Sequence, residues 1–160
     1  MKYHLGLGSN MGDRQENLLR CHAALKNIGV EVMRYSSVYQ TQPVGSLDQP
    51  WYLNQVVEVA SKLEPIDLLR IVKKIEKDMG RDMSLQPDKP RPIDIDILLA
   101  ENCVINIENL QIPHPGLEKR RFVLVPLNEI APDVLHPVLK LEIKNLLKNT
   151  QDRSLVKLYK

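Results

Sequence analysis

Asp94-Ile95-Asp96 is the residue pair in this chain best suited to chemistry. Residues two apart on a strand share a face, so both carboxylates point the same way about 7 Å apart. Hard anionic oxygens suit Mg²⁺, which takes one or two carboxylates and completes its shell with water and phosphate oxygens. That spacing can also hold two cations roughly 3.5–4 Å apart across a polyphosphate. The plain alternative is the solvent face of an amphipathic strand, and the poor strand propensity of Asp weighs against it.

A basic, proline-stiffened stretch leads into the pair. Arg81 follows Gly80, Arg91 stands three residues before Asp94, and Lys89 lies between them, among Pro87, Pro90 and Pro92. An Arg fork beside a metal–phosphate site binds two oxygens at once and neutralises charge developing on them. Alone, the stretch reads as a solvated loop; flanking Asp94 and Asp96, it reads as part of one site. His114 is held between Pro113 and Pro115, with Lys119, Arg120 and Arg121 close behind. It is either a phosphate donor on a fixed backbone or a turn residue. His4, His22 and His136 have no partner pattern and read as structural.

Other motifs are excluded by their spacing. Gly6-Leu7-Gly8-Ser9-Asn10-Met11-Gly12 gives GxGxxxG where a dinucleotide fingerprint needs GxGxxG. No GxxxxGK[ST] occurs, and no GxSxG or paired nucleophile.

The elements that position these residues follow from periodicity. Tyr3–Leu7 reads as a strand, and Asp13 to about Ile28 as a helix with Leu18, Cys21, Leu25 and Ile28 on one face. Residues 30 to about 40 read as one strand, 43–50 as a loop and 52–61 as a second long strand. Pro65 opens a helix striped by Ile66, Leu69, Val72, Ile75 and Met79, which stops at Gly80. From Ile93 to Ala100 the alternation is strict, with Ile93, Ile95, Ile97 and Leu99 opposite the two Asp. Glu101-Asn102 is predicted to turn that strand into a hairpin with 103–107. Helices near 122–130 and 141–147 and a short strand near Leu155 complete the chain. The order β-α-β-β-α-β predicts an α+β, ferredoxin-like sandwich over residues 1–160, a mainly antiparallel sheet with helices on one side and a C-terminal elaboration.

Composition bounds the function. The chain has 160 residues, 43% hydrophobic and 26% charged, one domain of ordinary globular make-up. A net charge of +2 and only 4% aromatic residues exclude a non-specific nucleic-acid binder, with too little basic surface and too few stacking platforms. Cys21 and Cys103 form no CxxC and read as buried reduced thiols. No apolar run is long enough for a membrane span, and the N-terminus lacks a signal-peptide core, so the expected location is cytoplasmic.

Taken in order, these segments resemble the 6-hydroxymethyl-7,8-dihydropterin pyrophosphokinase family. The matching segments are Leu7-Gly8-Ser9-Asn10-Met11-Gly12-Asp13, Gln49-Pro50-x-Tyr52-Leu53-Asn54, Gly80-Arg81, Pro90-Arg91-x-x-Asp94-Ile95-Asp96-Ile97-Leu98, Pro113-His114-Pro115, Arg120-Arg121-Phe122 and Pro126-Leu127-x-Glu129-Ile130-Ala131-Pro132. The resemblance implies transfer of the diphosphate of ATP to the pterin's hydroxymethyl group, with release of AMP. It implies two Mg²⁺ ions on Asp94 and Asp96, with Arg81, Arg91 and Asp96 as catalytic groups. Glu76, Lys89, Arg91, Ile97, His114 and Arg120 would serve ATP. Tyr52 and Phe122 would sandwich the pterin, and Asn54, Thr41, Gln42 and Val44 would read its edge. The partners implied are these small molecules alone, with no nucleic acid and no membrane, and a monomer is the expected state. Loop 81–92 would close over ATP. There this chain departs from the family, with Asp88-Lys89-Pro90-Arg91 for the usual Trp-Gly-Pro-Arg, Met83 for a second Arg, and Lys73 for a Gln on the second helix. The alternatives are a homologue that binds without turnover and a nucleic-acid module resembling the RRM, which needs exposed aromatics on two central strands.

Overall fold

A computed structural model describes residues 1–43, 48–81 and 89–160. In chain order the elements are β1 (Lys2–Ser9), α1 (Arg14–Asn27), β2 (Glu31–Tyr35), β3 (Tyr39–Thr41), β4 (Tyr52–Ala60), α2 (Pro65–Asp78), β5 (Asp94–Ala100), β6 (Ile105–Ile107), β7 (Leu110–Ile112), a single 3-10 turn at Leu117–Lys119, α3 (Arg121–Ile130), α4 (Ile143–Asn149) and β8 (Val156–Leu158). The main sheet runs β5-β1-β4-β3-β8, with β2 also on β4, and every pairing is antiparallel.

β1 and β4 are the central strands, and β4 is buried on both faces. On one face Tyr3, Leu5 and Leu7 pack with Leu18, Cys21 and Leu25 of α1 and Leu68, Val72 and Ile75 of α2. On the other, Val56, Leu98 and Leu99 pack with Val123, Leu124 and Leu127 of α3 and Ile143 and Leu146 of α4. Helices therefore cover both faces, not one. The β-α-β-β-α-β order places only α1 and α2; the later α3 and α4 are drawn to the second face by the apolar residues it presents.

Three local expectations are corrected. The run 30–40 is two strands, because the register on β4 moves by one residue between Tyr35↔Val57 and Tyr39↔Asn54. Ser36 fills the break, its N–H donating to Val56 O at 2.9 Å and its Oγ accepting from Val56 N at 2.9 Å. On β5 the strict alternation fails at Leu99. The β1 register shifts between His4↔Leu99 and Leu5↔Ile97, a bulge that puts both Leu98 and Leu99 in the α3 core. The 105–107 strand pairs with β7 and not with β5, so the hairpin lies one element later than predicted.

Two helix ends aim site residues. Asp13 caps α1, accepting from Glu16 N at 3.1 Å. At the end of α2, Gly80 adopts φ +98, Gly80 N donates to Lys77 O and Arg81 N to Glu76 O, both at 3.0 Å. That Schellman closure requires a left-handed residue and directs Arg81 back beneath the sheet edge.

Candidate active site

A cleft of about 430 Å³ opens between β1, β4, β5 and the N-terminal end of α3. Gly6 and Gly8 line it from β1, Tyr52, Asn54 and Val56 from β4, and Asp94, Asp96 and Leu98 from β5. Thr41, Gln42, Lys73, Arg81, Arg91, His114, Arg120 and Phe122 also line it. Period-2 alternation on three adjacent strands explains the grouping, since each strand sends every second side chain to this face.

The two carboxylates sit in contrasting surroundings. Asp94 accepts from Arg81 Nη1 at 2.8 Å and lies 3.6 Å from Arg91 Nη1. Asp96 has one ionic neighbour among the described residues, His114 Nε2 at 3.9 Å. Burial, and then the charge of Asp94, push the Asp96 carboxyl up to about 7. A pair of hard oxygen donors that repel one another in a sheltered cleft fits a hard divalent cation, which would relieve that repulsion. Among the described residues no third His, Cys, Asp or Glu joins them, so such an ion would draw its other ligands from water and substrate.

Glu76 underlies this group. It is fully buried, accepts from Ile95 N at 3.2 Å and from Arg81 Nη1 through its Oε2, and its Oε1 lies 3.2 Å from Lys73 Nζ. Burial raises its pKa, opposed by Lys73. Glu76 does not line the cleft; it anchors the strand and the guanidinium that do.

The other end of the cleft is aromatic and amide-edged. Tyr52 and Phe122 line it, and Arg120 Cζ stands 5.9 Å from the Phe122 ring centre, within cation–π range. Gly116 makes room for Arg120, since a Cβ there would meet Arg120 Nε at 2.6 Å. Asn54 Nδ2 donates to Thr41 Oγ1 at 2.7 Å, which fixes the amide plane. Gly8 is required opposite it, as a Cβ would come within 2.6 Å of Asn54 Oδ1. Burial, and next Arg120, lower the pKa of His114. Gly116 N donates to His114 Nδ1 at 3.3 Å, which leaves Nε2 to carry the ring proton toward Asp96.

A smaller cleft of about 270 Å³ adjoins the first, between α2, β5 and the β6–β7 hairpin. Leu69, Ile95, Ile97 and Leu110 line it, and Lys73, Asp96 and His114 line both clefts. Asn10 holds the seam between two incoming segments. Its Oδ1 accepts from Arg91 N at 2.8 Å, and its Nδ2 donates to Gln49 Oε1 at 3.1 Å and Pro50 O at 3.2 Å.

Of the residues singled out in the sequence, Thr41, Gln42, Tyr52, Asn54, Arg81, Arg91, Asp94, Asp96, His114, Arg120 and Phe122 converge on the first cleft. Ile97 lines the second. Lys89 is exposed and lines neither, its carbonyl accepting from Arg91 Nε at 3.4 Å. Val44, Met83 and Asp88 lie outside the described residues. Gly8, Asn10, Lys73 and the β6–β7 wall were not predicted as site parts. The Leu7–Asp13 match carried a signal for Gly8 and Asn10, and the departure at 73 carried one for Lys73.

Comparison with known proteins shows the family. The family model of 7,8-dihydro-6-hydroxymethylpterin-pyrophosphokinase matches residues 4–132. The chain is 42% identical over 141 residues to the 2-amino-4-hydroxy-6-hydroxymethyldihydropteridine pyrophosphokinase of Aquifex aeolicus, spanning 88% of this chain and 87% of that protein. The Haemophilus influenzae protein of the same name is 39% identical over 159 residues, spanning 97% of this chain and 96% of its own. The folic acid synthesis protein fol1 of Schizosaccharomyces pombe is 43% identical over 135 residues, and the chain spans only 18% of its length. A crystal structure of Plasmodium falciparum HPPK-DHPS with pteroate shares the fold, at a TM-score of 0.74 and 19% identity over 92% of this chain and 42% of that one. By the family-model match and these relatives, the chain belongs to the 7,8-dihydro-6-hydroxymethylpterin-pyrophosphokinase family.

Proposed function

We propose that this protein transfers the diphosphate of ATP to the hydroxymethyl group of 6-hydroxymethyl-7,8-dihydropterin, releasing AMP, in folate synthesis. One observation carries the reading: an aromatic, amide-edged cleft and a smaller cleft floored by Leu69, Ile95 and Ile97 meet at Asp96, His114 and Lys73. The first suits a flat polar heterocycle, stacked between Tyr52 and Phe122 and read at its edge by Asn54, Thr41 and Gln42. The second suits the adenine, with Ile97 beneath it. The triphosphate then crosses the junction.

Little covalent work falls to the protein, because phosphoryl transfer is positioning and charge neutralisation. Arg91 and Arg120 take the phosphate oxygens, Arg81 fixes Asp94, and His114 donates from Nε2. Asp96 faces the junction and is the nearest carboxylate to accept the hydroxyl proton. Mg²⁺ held by Asp94 and Asp96, two ions in our reading, would neutralise the triphosphate and ease ionisation of the hydroxymethyl oxygen.

Every group named belongs to one chain, which supports a monomer as the working unit. A cytoplasmic location, where ATP and Mg²⁺ are at hand, goes with that reading; no helix is long and apolar enough to cross a membrane among the described residues. The RRM-like alternative loses its footing, since Tyr3 on β1 is fully buried and Tyr52 on β4 faces the cleft.

The test is a product assay with ATP, Mg²⁺ and the pterin alcohol, followed by nucleotide separation. AMP formed only when the pterin is present supports the proposal. ADP, or AMP formed equally without pterin, refutes it, and no turnover by a folded protein that binds both ligands marks a homologue that binds without catalysis.

A further inference from the structure

We infer that Lys73 is the cation that meets the negative charge developing on the departing AMP, an inference that rests on the transfer reaction proposed above. Three observations converge on this residue. Lys73 lines both clefts, so its ammonium stands on the wall where nucleotide and pterin sites meet. It sits on α2, on the nucleotide side of the junction, whereas Asp94 and Asp96 approach from β5. It is also the least committed of three neighbouring cations. Arg81 is engaged by Glu76 and Asp94 with its side chain 17% exposed, and the Arg91 side chain is 10% exposed beside Asp94. Among the described residues, the Lys73 side chain, 45% exposed, is held by one ion pair, to Glu76 Oε1 at 3.2 Å, an oxygen with no hydrogen-bond partner there. A four-carbon stem lets the ammonium turn from that oxygen to a phosphate without moving the helix.

The reaction places a charge where Lys73 can reach it. The hydroxymethyl oxygen forms a bond to the β-phosphorus, and the bond from the β-phosphorus to the α,β-bridging oxygen breaks. The electron pair stays on that oxygen, which leaves as part of AMP, and the hydroxyl proton is released. Fully ionised ATP (4−) and the alcohol thus become the alkyl diphosphate (3−), AMP (2−) and one proton. The transferred diphosphate faces the carboxylate pair. The leaving oxygen faces the base cleft and its α2 wall. Charge-assisted donors placed where charge accumulates in the transition state lower its energy more than that of the bound substrate. Lys73 therefore contacts the substrate, in addition to balancing Glu76 when the site is empty.

Lys73→Gln and Lys73→Arg test this with four readouts: kcat, the dissociation constant of AMP, that of the pterin alcohol, and the thermal midpoint. Lys73→Gln is expected to lower kcat about 10- to 100-fold and to weaken AMP binding about tenfold. Pterin affinity should stay within twofold of wild type, the thermal midpoint should fall as the buried Glu76 loses its ion pair, and Lys73→Arg should restore most of these losses. AMP affinity and kcat within twofold of wild type in Lys73→Gln would overturn the inference. So would a fall in pterin affinity as large as that in AMP affinity, the signature of a counter-ion for Glu76 alone. AMP and pterin binding are read without turnover, so a wild-type protein that forms no pterin-dependent AMP refutes the transfer reaction separately.

Discussion

Gly8→Ala isolates one contact on which the proposed pterin end of the cleft depends. An added Cβ would lie 2.6 Å from Asn54 Oδ1 and 3.3 Å from Tyr52 Cδ1. The first distance is not tolerated, so the Asn54 amide must back away, and it is 9% exposed and bonded to Thr41 Oγ1 at 2.7 Å. Breaking that bond costs about 0.5–1.5 kcal/mol, rising to about 1–3 kcal/mol where a partner is left buried and unsatisfied. The cleft is open to water, so a stability loss of about 1–2 kcal/mol follows. The displaced amide also leaves the pterin edge, and losing two such bonds weakens pterin binding about 10- to 100-fold. Gly6→Ala is the control, because its Cβ would meet Leu98 side-chain carbons at 3.5–3.6 Å, ordinary contact. Its stability change should fall within about 0.5 kcal/mol of zero. Urea midpoints and pterin titrations on Gly8→Ala, Asn54→Ala and the double variant close a cycle. With Asn54 truncated, adding Gly8→Ala should cost little more. Additive losses, or wild-type pterin affinity in Gly8→Ala, would refute the steric account.

The remaining predictions concern the charged group and the Thr41 support. Asp96 keeps its proton in the folded state up to about pH 7, where its ordinary value is 3.8, so between those values the unfolded chain binds fewer protons. Stability without cations therefore falls as pH rises through that window, and the loss is complete above it. Asp96→Asn should exceed the native protein in urea midpoint at about pH 8 and match it near pH 4, while turnover drops about 10²-fold or more. Glu76→Ala removes the acceptor for Ile95 N and the buried partner of Arg81, and should cost about 3 kcal/mol or more in thermal or urea unfolding. Thr41→Val frees the Asn54 amide without changing volume; a fluorescence titration should show pterin binding weakened about five- to tenfold, about 1 kcal/mol.

The strand and helix that carry the chemistry were legible because their periods were clean. Asp94 and Asp96 share a face as the spacing predicts, and Gly80 ends α2 where the stripe stops. What escaped the sequence was decided by partners far along the chain. The Leu98–Leu99 bulge depends on the register of β1, and the Ser36 break on that of β4. The α3 and α4 packing depends on a second apolar face that β4 does not advertise, since its run from Leu53 to Val59 is buried throughout. The residues proposed for pterin and phosphate come from the matched segments, not from periodicity. Lys73 and Gly8 became site residues only when distances to Glu76 and Asn54 could be measured.

The Asn10 side chain has a consequence for how the two substrates sense one another. One amide bonds both to the segment that leads into Tyr52 and to the segment that leads into Asp94. A ligand that settles either segment therefore spares the other part of its ordering cost. Such coupling is reciprocal: the factor by which ATP tightens the pterin must equal the factor by which the pterin tightens ATP. In this protein a carboxamide at the end of β1 would add heterotropic communication between two sites that also meet at Lys73, Asp96 and His114.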